Sequence, residues 1–176
     1  MKTVNDKILI RRATVADATL IAVLASTTFY EAYFEQDESA NLARYIAESF
    51  DIETIAAELA DPQSTFFIIS LNEKAVGYAR LIAGSTTDGV SAGGVIELKR
   101  IYILERLWGK SVGEALLDHC IGAAVERGFA VIWLGVWDEN LRAQRFYAKF
   151  GFREVGKISV PYGDVVGVNL VLEKLL

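Results

Sequence analysis

The run Trp108-Gly109-Lys110-Ser111-Val112-Gly113 has the make-up of a turn that can hold a phosphate group. Ahead of it, Ile96, Leu98, Ile101, Tyr102 and Ile103 are β-branched, aromatic or aliphatic, with no glycine or proline among them, which predicts a strand. Behind it, Val112, Ala115, Leu116, Cys120 and Ala123 recur at helical spacing. A strand that enters a helix through small residues gathers unpaired backbone N–H groups at the positive end of the helix dipole, where an anion binds. Gly-x-x-x-Gly also occurs wherever a helix must sit close to a sheet, so the turn alone leaves both readings open. It is not the dinucleotide fingerprint, which needs Gly-x-Gly-x-x-Gly. Nor is it a Walker loop, because the first glycine of that motif is missing ahead of Gly109-Lys110-Ser111.

The elements that must position this turn follow from periodicity. Residues 7–11 read as a first strand, and Thr14 with Asp17 as a cap for a helix carrying Leu20, Ile21, Val23 and Leu24. Phe29, Tyr30, Tyr33 and Phe34 extend an aromatic stripe. Phe29 and Phe34 read as core, Tyr30 and Tyr33 as core or as pocket lining. Helical segments over 41–50 and 52–59 follow, the second stopped by Asp61-Pro62. Residues 65–71 and 75–82 form a predicted hairpin around Asn72-Glu73. Residues 84–94, with four glycines, read as a flexible loop. The helix after the turn runs to Arg127, with Gly128 as its C-cap. Residues 130–136 are apolar throughout and read as a central strand. A short helix over 140–149 closes at Gly151, and 152–160 with 165–172 make a final antiparallel pair around Pro161-Tyr-Gly-Asp. The order predicts a mixed α/β sandwich in one domain, residues 1–176.

Composition narrows the function classes. With 176 residues, 52% of them hydrophobic, the chain can bury a substantial core. A net charge of −5 argues against a nucleic-acid partner. Residues 28–62 hold nine acids against the single base Arg44, which reads either as solvated helix faces or as a surface for a cationic partner. One cysteine, Cys120, excludes an intramolecular disulfide, and one histidine, His119, makes a His/Cys metal cage implausible. Cys120 reads as core and His119 as a packed or half-exposed residue on the flank of its helix. No apolar run approaches ~18 residues, and the first residues lack the apolar core of a signal peptide. A cytoplasmic protein without metal or membrane partner is the expectation.

A second motif stands at Asn140-Leu-Arg-Ala-Gln-Arg-Phe-Tyr-Ala-Lys-Phe-Gly-Phe. Asn-x-x-Ala-x-x-Phe-Tyr-x-Lys-x-Gly-Phe after an apolar strand resembles the C-terminal half of the Gcn5-related N-acetyltransferases. Residues 97–117 resemble their acetyl-CoA pyrophosphate loop, in the family's order and at a plausible separation. The likeness covers nearly the whole chain. It is nearest to the bacterial spermidine/spermine (polyamine) N-acetyltransferase branch, through Glu-Leu-x-Arg-Ile-Tyr-Ile, Leu-Gly-Val-Trp-x-x-Asn and an acidic, aromatic N-terminal helical region. The family's loop usually reads Gln/Arg-Gly-x-Gly-x-Gly/Ala. Here Trp108 replaces the polar first residue and Ser111 the middle glycine, a serine that is tolerable where φ is helical.

The resemblance implies a mostly antiparallel sheet of about seven strands, splayed between the fourth and fifth, with helices on both faces. It implies acetyl transfer from acetyl-CoA to a primary amine by direct attack in a ternary complex. On this reading the strand carrying Ile101, Tyr102 and Ile103 pairs with the pantetheine arm. The turn Trp108, Gly109, Lys110, Ser111, Val112 and Gly113 takes the pyrophosphate, while Asn140 and Lys149 reach the cofactor. Tyr147 is the general acid at the departing sulfur, since a phenol with an unperturbed pKa of ~10 arrives protonated. Glu97 is the candidate base, its alternative being a strand-end carboxylate paired with Lys99 or Arg100. The acidic bias favours a small cationic acceptor such as a polyamine. Alternatives are a protein N-terminus, a lysine or another amine, or a non-catalytic acyl-CoA-binding module. Dimerisation is common in the family, and 165–172 reads as the strand that supplies an edge.

Overall fold

Local capping sets the start of the chain. A computed structural model describes residues 7–162 and 165–176. Strand β1 (Ile8–Arg12) ends where Arg11 reaches Asp17, with nitrogen–oxygen distances of 2.6 and 2.9 Å. The Asp17 carboxylate also accepts the Thr14 N–H at 2.9 Å, closing a 3₁₀ turn that runs into α1 (Ala18–Tyr33). The Arg11 hydrogen bond outweighs burial and holds the Asp17 carboxyl down to about 2. Helix α2 (Ser39–Ser49) precedes α3 (Ile52–Ala60), whose cap Asp51 accepts the Thr54 N–H at 2.9 Å. Strands β2 (Ser64–Leu71) and β3 (Lys74–Ala83) join through Asn72 and Glu73 at φ +50° and +67°, the pair of left-handed residues that a two-residue hairpin requires. Then come β4 (Val95–Ile103), α4 (Val112–Glu126), β5 (Val131–Trp137), α5 (Leu141–Lys149), β6 (Arg153–Tyr162) and β7 (Val165–Leu175).

The strands hydrogen-bond in the order β1-β2-β3-β4-β5-β7-β6, a seven-stranded sheet. The parallel pair β4/β5 joins Val95↔Val131 through Glu97↔Trp133 and goes no further, whereas β5 pairs with β7 antiparallel from Val131↔Leu175 to Trp137↔Asn169. The predicted mixed sheet and its element order are therefore present. By its contacts the chain forms two compact units: one runs to Arg80 and resumes over Arg100–His119, and the other comprises Leu81–Lys99 with Cys120–Leu176. The first buries Ile21, Leu42, Ile55, Phe66 and Tyr78, and the second Ile96, Cys120, Ile132 and Val171. At Gly77 in β3 a Cβ would collide with the Ile103 side chain and the Tyr102 carbonyl, so the approach to β4 there needs glycine. Burial pushes the Cys120 thiol up to about 12, as expected of a core cysteine. Among the described residues no helix is long and apolar enough to cross a membrane.

Several expectations change. Phe34 is not core: it follows the last residue of α1, is 58% exposed and lies against Tyr30. Residues 84–94 are pinned rather than free. Glu173 on β7, fully buried, accepts from the Ser91 N–H and hydroxyl at 2.8 Å each and from Arg153 at 2.9 Å. Val90 packs beside Val155 and Ile158 on the cluster of Val95, Trp133 and Val171. Strand β7 is interior, flanked by β5 and β6, so it offers no edge; β6 and β1 are the edges. Of the turn Pro161-Tyr-Gly-Asp, Pro161 and Tyr162 belong to β6, and residues 163 and 164 lie outside the described residues. His119 is exposed and meets the Phe67 ring edge-on at 4.6 Å.

Candidate active site

The turn at 108–113 is built as its composition requires, with one difference at Ser111. After β4 a 3₁₀ turn (Glu105–Leu107) leads to Trp108, and α4 opens at Val112. Gly109 has φ +74° and Ser111 φ +60°, so the chain enters α4 through two left-handed residues. Ser111 thus lies outside the helical region in which a serine is tolerated freely: the reversal from the 3₁₀ turn into α4 takes the left-handed region. There an L-residue costs about 1–2 kcal/mol that glycine would not. The first N–H groups of α4 have no acceptor within the helix and carry the positive end of its dipole. Gly109, Lys110 and Ser111 are exposed, and a Cβ on Gly109 would meet nothing within 4 Å. A turn of this kind can take an anion. Lys110 adds a cation beside it, and Gly113 lies in the first turn of α4.

Trp108 does not replace the family's polar residue by pointing at a ligand. Its indole N–H donates to the Ile103 carbonyl at 2.9 Å, tying the turn back to the end of β4. That bond uses one lone pair of a carbonyl that the resemblance assigns to the pantetheine arm. Ile103 is buried, Ile101 and Tyr102 partly so. The Tyr102 side chain turns toward an aromatic cluster, with its ring 6.1 Å from Tyr78 and 6.3 Å from Phe29. Only its backbone can serve as the strand-like partner that the sequence suggested.

Glu97 on β4 is 5% exposed, and each of its carboxylate oxygens has a partner. Its Oε2 accepts from the Ser85 hydroxyl at 2.6 Å and its Oε1 from Lys99 at 3.1 Å. Ser85 is itself fixed, since its carbonyl accepts the Trp133 indole N–H at 2.8 Å. The pairing with Lys99 weighed in the sequence is real. Arg100 goes elsewhere.

On α5 the Asn140 side chain caps the helix, its Oδ1 accepting the Ala143 N–H at 3.0 Å. The amide nitrogen is what Asn140 has left to offer a cofactor. Tyr147 is buried against Phe152 at 5.7 Å and Phe146 at 5.3 Å, while Phe146 stays half-buried. Of the two adjacent aromatics, Tyr147 is therefore the one turned inward. Lys149 is exposed in the last turn of α5.

A largely buried ion cluster carries no signal in the sequence. Glu58 on α3 takes Arg100 with two bonds of 2.6 and 3.0 Å and Arg80 at 2.5 Å, and Arg80 also donates to Ser64 at 2.9 Å. Arg100 lies 5.0 Å over the Phe50 ring, and Phe29, Tyr33, Tyr45, Tyr78 and Tyr102 continue the aromatic wall. Burial pushes the hydroxyls of Tyr33, Tyr78 and Tyr102 up, keeping them protonated. The Tyr78 hydroxyl is buried and has no hydrogen-bond partner among the described residues. Tyrosines on α1, α2, β3 and β4 carry no joint signal in a linear sequence. Part of the acidic bias is structural: Glu58 holds the two arginines, and Asp51, Asp61 and Glu31 accept backbone N–H groups, while Glu35, Glu38, Glu48 and Glu53 are exposed.

Comparison with known proteins gives this geometry its class. Residues 25–152 match the model of the acetyltransferase (GNAT) family. An uncharacterized N-acetyltransferase of Mycobacterium tuberculosis is 32% identical over 137 residues, 78% of this chain and 83% of that protein. One from Lactobacillus delbrueckii subsp. lactis is 24% identical over 154 residues, 87% and 88% of the two chains. The PaiA N-acetyltransferase of Thermoplasma acidophilum, solved with coenzyme A, superposes with a TM-score of 0.78 at 21% identity, covering 97% of this chain and 99% of that one. The ribosomal-protein-S18-alanine N-acetyltransferase of Escherichia coli gives 0.68 at 20% identity, covering 96% and 94%. The chain belongs to the GNAT family of acetyltransferases. It is an acetyltransferase of that family, as its curated relatives are named N-acetyltransferases.

Proposed function

We propose that residues 1–176 act as one N-acetyltransferase domain that moves the acetyl group of acetyl-CoA to a primary amine on a small cationic acceptor such as a polyamine. The observation that carries the transferase reading is the preformed turn at 108–113 feeding the N-terminus of α4. Trp108, Gly109, Lys110, Ser111, Val112 and Gly113 take the pyrophosphate. The backbone of Ile101, Tyr102 and Ile103 takes the pantetheine arm, and Asn140 and Lys149 contact the cofactor. The amine nitrogen attacks the thioester carbonyl carbon, the C–S bond breaks, and Tyr147 gives its proton to the departing thiolate. Glu97 receives the amine's proton, directly or through water. The exposed carboxylates Glu35, Glu38, Glu48 and Glu53 support a cationic acceptor by attraction. The lone cysteine, Cys120, fits a reducing compartment such as the cytoplasm.

A second reading of the acceptor rests on the cluster of Arg80 and Arg100 with Glu58, two cations against one anion, and on the Tyr78 hydroxyl, which has no hydrogen-bond partner among the described residues. Guanidinium and phenol donors suit a carboxylate, and so an amino acid or peptide amine. Mass analysis of products from spermidine and from a lysyl dipeptide separates the two. Acetylspermidine as the dominant product supports the polyamine. Acetylation confined to the dipeptide moves the acceptor to the carboxylate-bearing class.

A further inference from the structure

Two side-chain hydrogen bonds brace the junction between β4 and α4. The Trp108 indole N–H spans the whole 3₁₀ turn to reach the Ile103 carbonyl at 2.9 Å. On the other side, the Glu31 carboxylate of α1 accepts the Glu105 N–H, the first of that turn, at 2.8 Å. Past these braces stands Ser111 at φ +60°, in a conformation an L-residue keeps only where its surroundings over-determine it. The N–H groups at the start of α4 converge on a ligand only while this conformation holds.

We propose that Trp108, together with Glu31, is a positioning residue that preforms the pyrophosphate turn against the backbone strain at Ser111, and so sets the affinity for CoA. The inference rests on the reading of residues 108–113 as the pyrophosphate turn. With a brace removed, Ser111 relaxes, the competent turn becomes a minor state, and CoA affinity falls by its remaining fraction. The strain of one left-handed non-glycine residue is equivalent to a fall on the order of 5- to 30-fold. Glycine carries no such strain, so a turn with glycine at this position stays competent without the brace.

The test is the dissociation constant of CoA by isothermal titration calorimetry, for Trp108→Phe in the natural background and in a Ser111→Gly background, with thermal melts confirming folded protein. The expected result is about tenfold weaker binding in the natural background and less than about twofold in the Ser111→Gly background. Glu31→Ala follows the same pattern through the other brace, and Glu31→Gln, which keeps an acceptor oxygen, weakens CoA less than Glu31→Ala. Equal weakening by Trp108→Phe in both backgrounds overturns the inference, because the ring then acts by contact or packing. No weakening in either background, with Gly113→Asp still abolishing CoA binding, overturns it and leaves the turn's role intact. CoA binding indifferent to Gly113→Asp overturns the reading of the turn and the inference with it.

Discussion

The Ser85 hydroxyl donates to Oε2 of Glu97 at 2.6 Å, and Lys99 holds the other carboxylate oxygen at 3.1 Å. A buried carboxylate so held is rigidly aimed, and to take a proton it must use its remaining lone pairs or release a partner. If it is the base, Glu97→Gln, which keeps the shape, lowers kcat on the order of 10²-fold or more while CoA binding persists. Steady-state kinetics beside calorimetry make the comparison. An unchanged kcat leaves Glu97 as the ion-pair partner of Lys99 alone.

Tyr147 is buried while its neighbour Phe146 is only half-buried. Tyr147→Phe keeps that packing and removes the proton, so kcat falls on the order of 10²-fold with acetyl-CoA affinity nearly unchanged. Undiminished turnover across the pH range removes the phenol from the mechanism.

Gly113 sits in the first turn of α4, where a carboxylate would oppose a bound pyrophosphate. Gly113→Asp is expected to weaken acetyl-CoA by two orders of magnitude or more, roughly the effect of placing an anion in an anion site. Calorimetry reads it directly, and unchanged affinity would move the phosphate site elsewhere.

Much of this was legible in the sequence, for reasons of range. Elements set by local periodicity and caps, such as α3 behind Asp51 and α5 behind Asn140, fall within a residue or two of their predicted bounds. What failed was non-local or conformational. Residues 84–94 look flexible by composition, yet the partner that pins Ser91 is Glu173, 82 residues away. The apolar run at 165–172 looks like an edge until strand order places it between β5 and β6. Glu58 and Arg100 are 42 residues apart, so their ion pair has no local pattern. Residue type does not give the sign of φ, so nothing local in the sequence shows that Ser111 lies in the left-handed region.

The same long-range contact predicts a local opening. Arg153 and both Ser91 donors outweigh the cost of burial and hold the Glu173 carboxyl below its usual range. Glu173→Gln loses the ion pair and one acceptor oxygen. It is expected to lower the melting temperature and speed amide exchange at Ser91 by tenfold or more, roughly the value of one charged hydrogen bond. Exchange as slow as in the natural protein would mean that Val90 packing alone holds the loop.

The Arg11 hydrogen bond holds the Asp17 carboxyl down to about 2 in the folded chain, below the unfolded value near 3.9. A depressed acid stabilises the fold above the unfolded value and loses that contribution as pH falls through the folded one. Asp17→Asn therefore lowers the melting temperature at pH 6, and the difference from the natural protein shrinks between about pH 4 and 2. A constant difference over that window would show that the Arg11 bond is not responsible.

The most direct test of the central claim is CoA thiol release from acetyl-CoA, measured with spermidine, spermine, lysine, a histone-like peptide and an aminoglycoside as acceptors. Saturable release with a polyamine, lost in Tyr147→Phe, is the predicted result. Tight acetyl-CoA binding with no release above background for any of these amines would contradict amine acetylation of this class, and would leave a protein that binds the cofactor without using it on them.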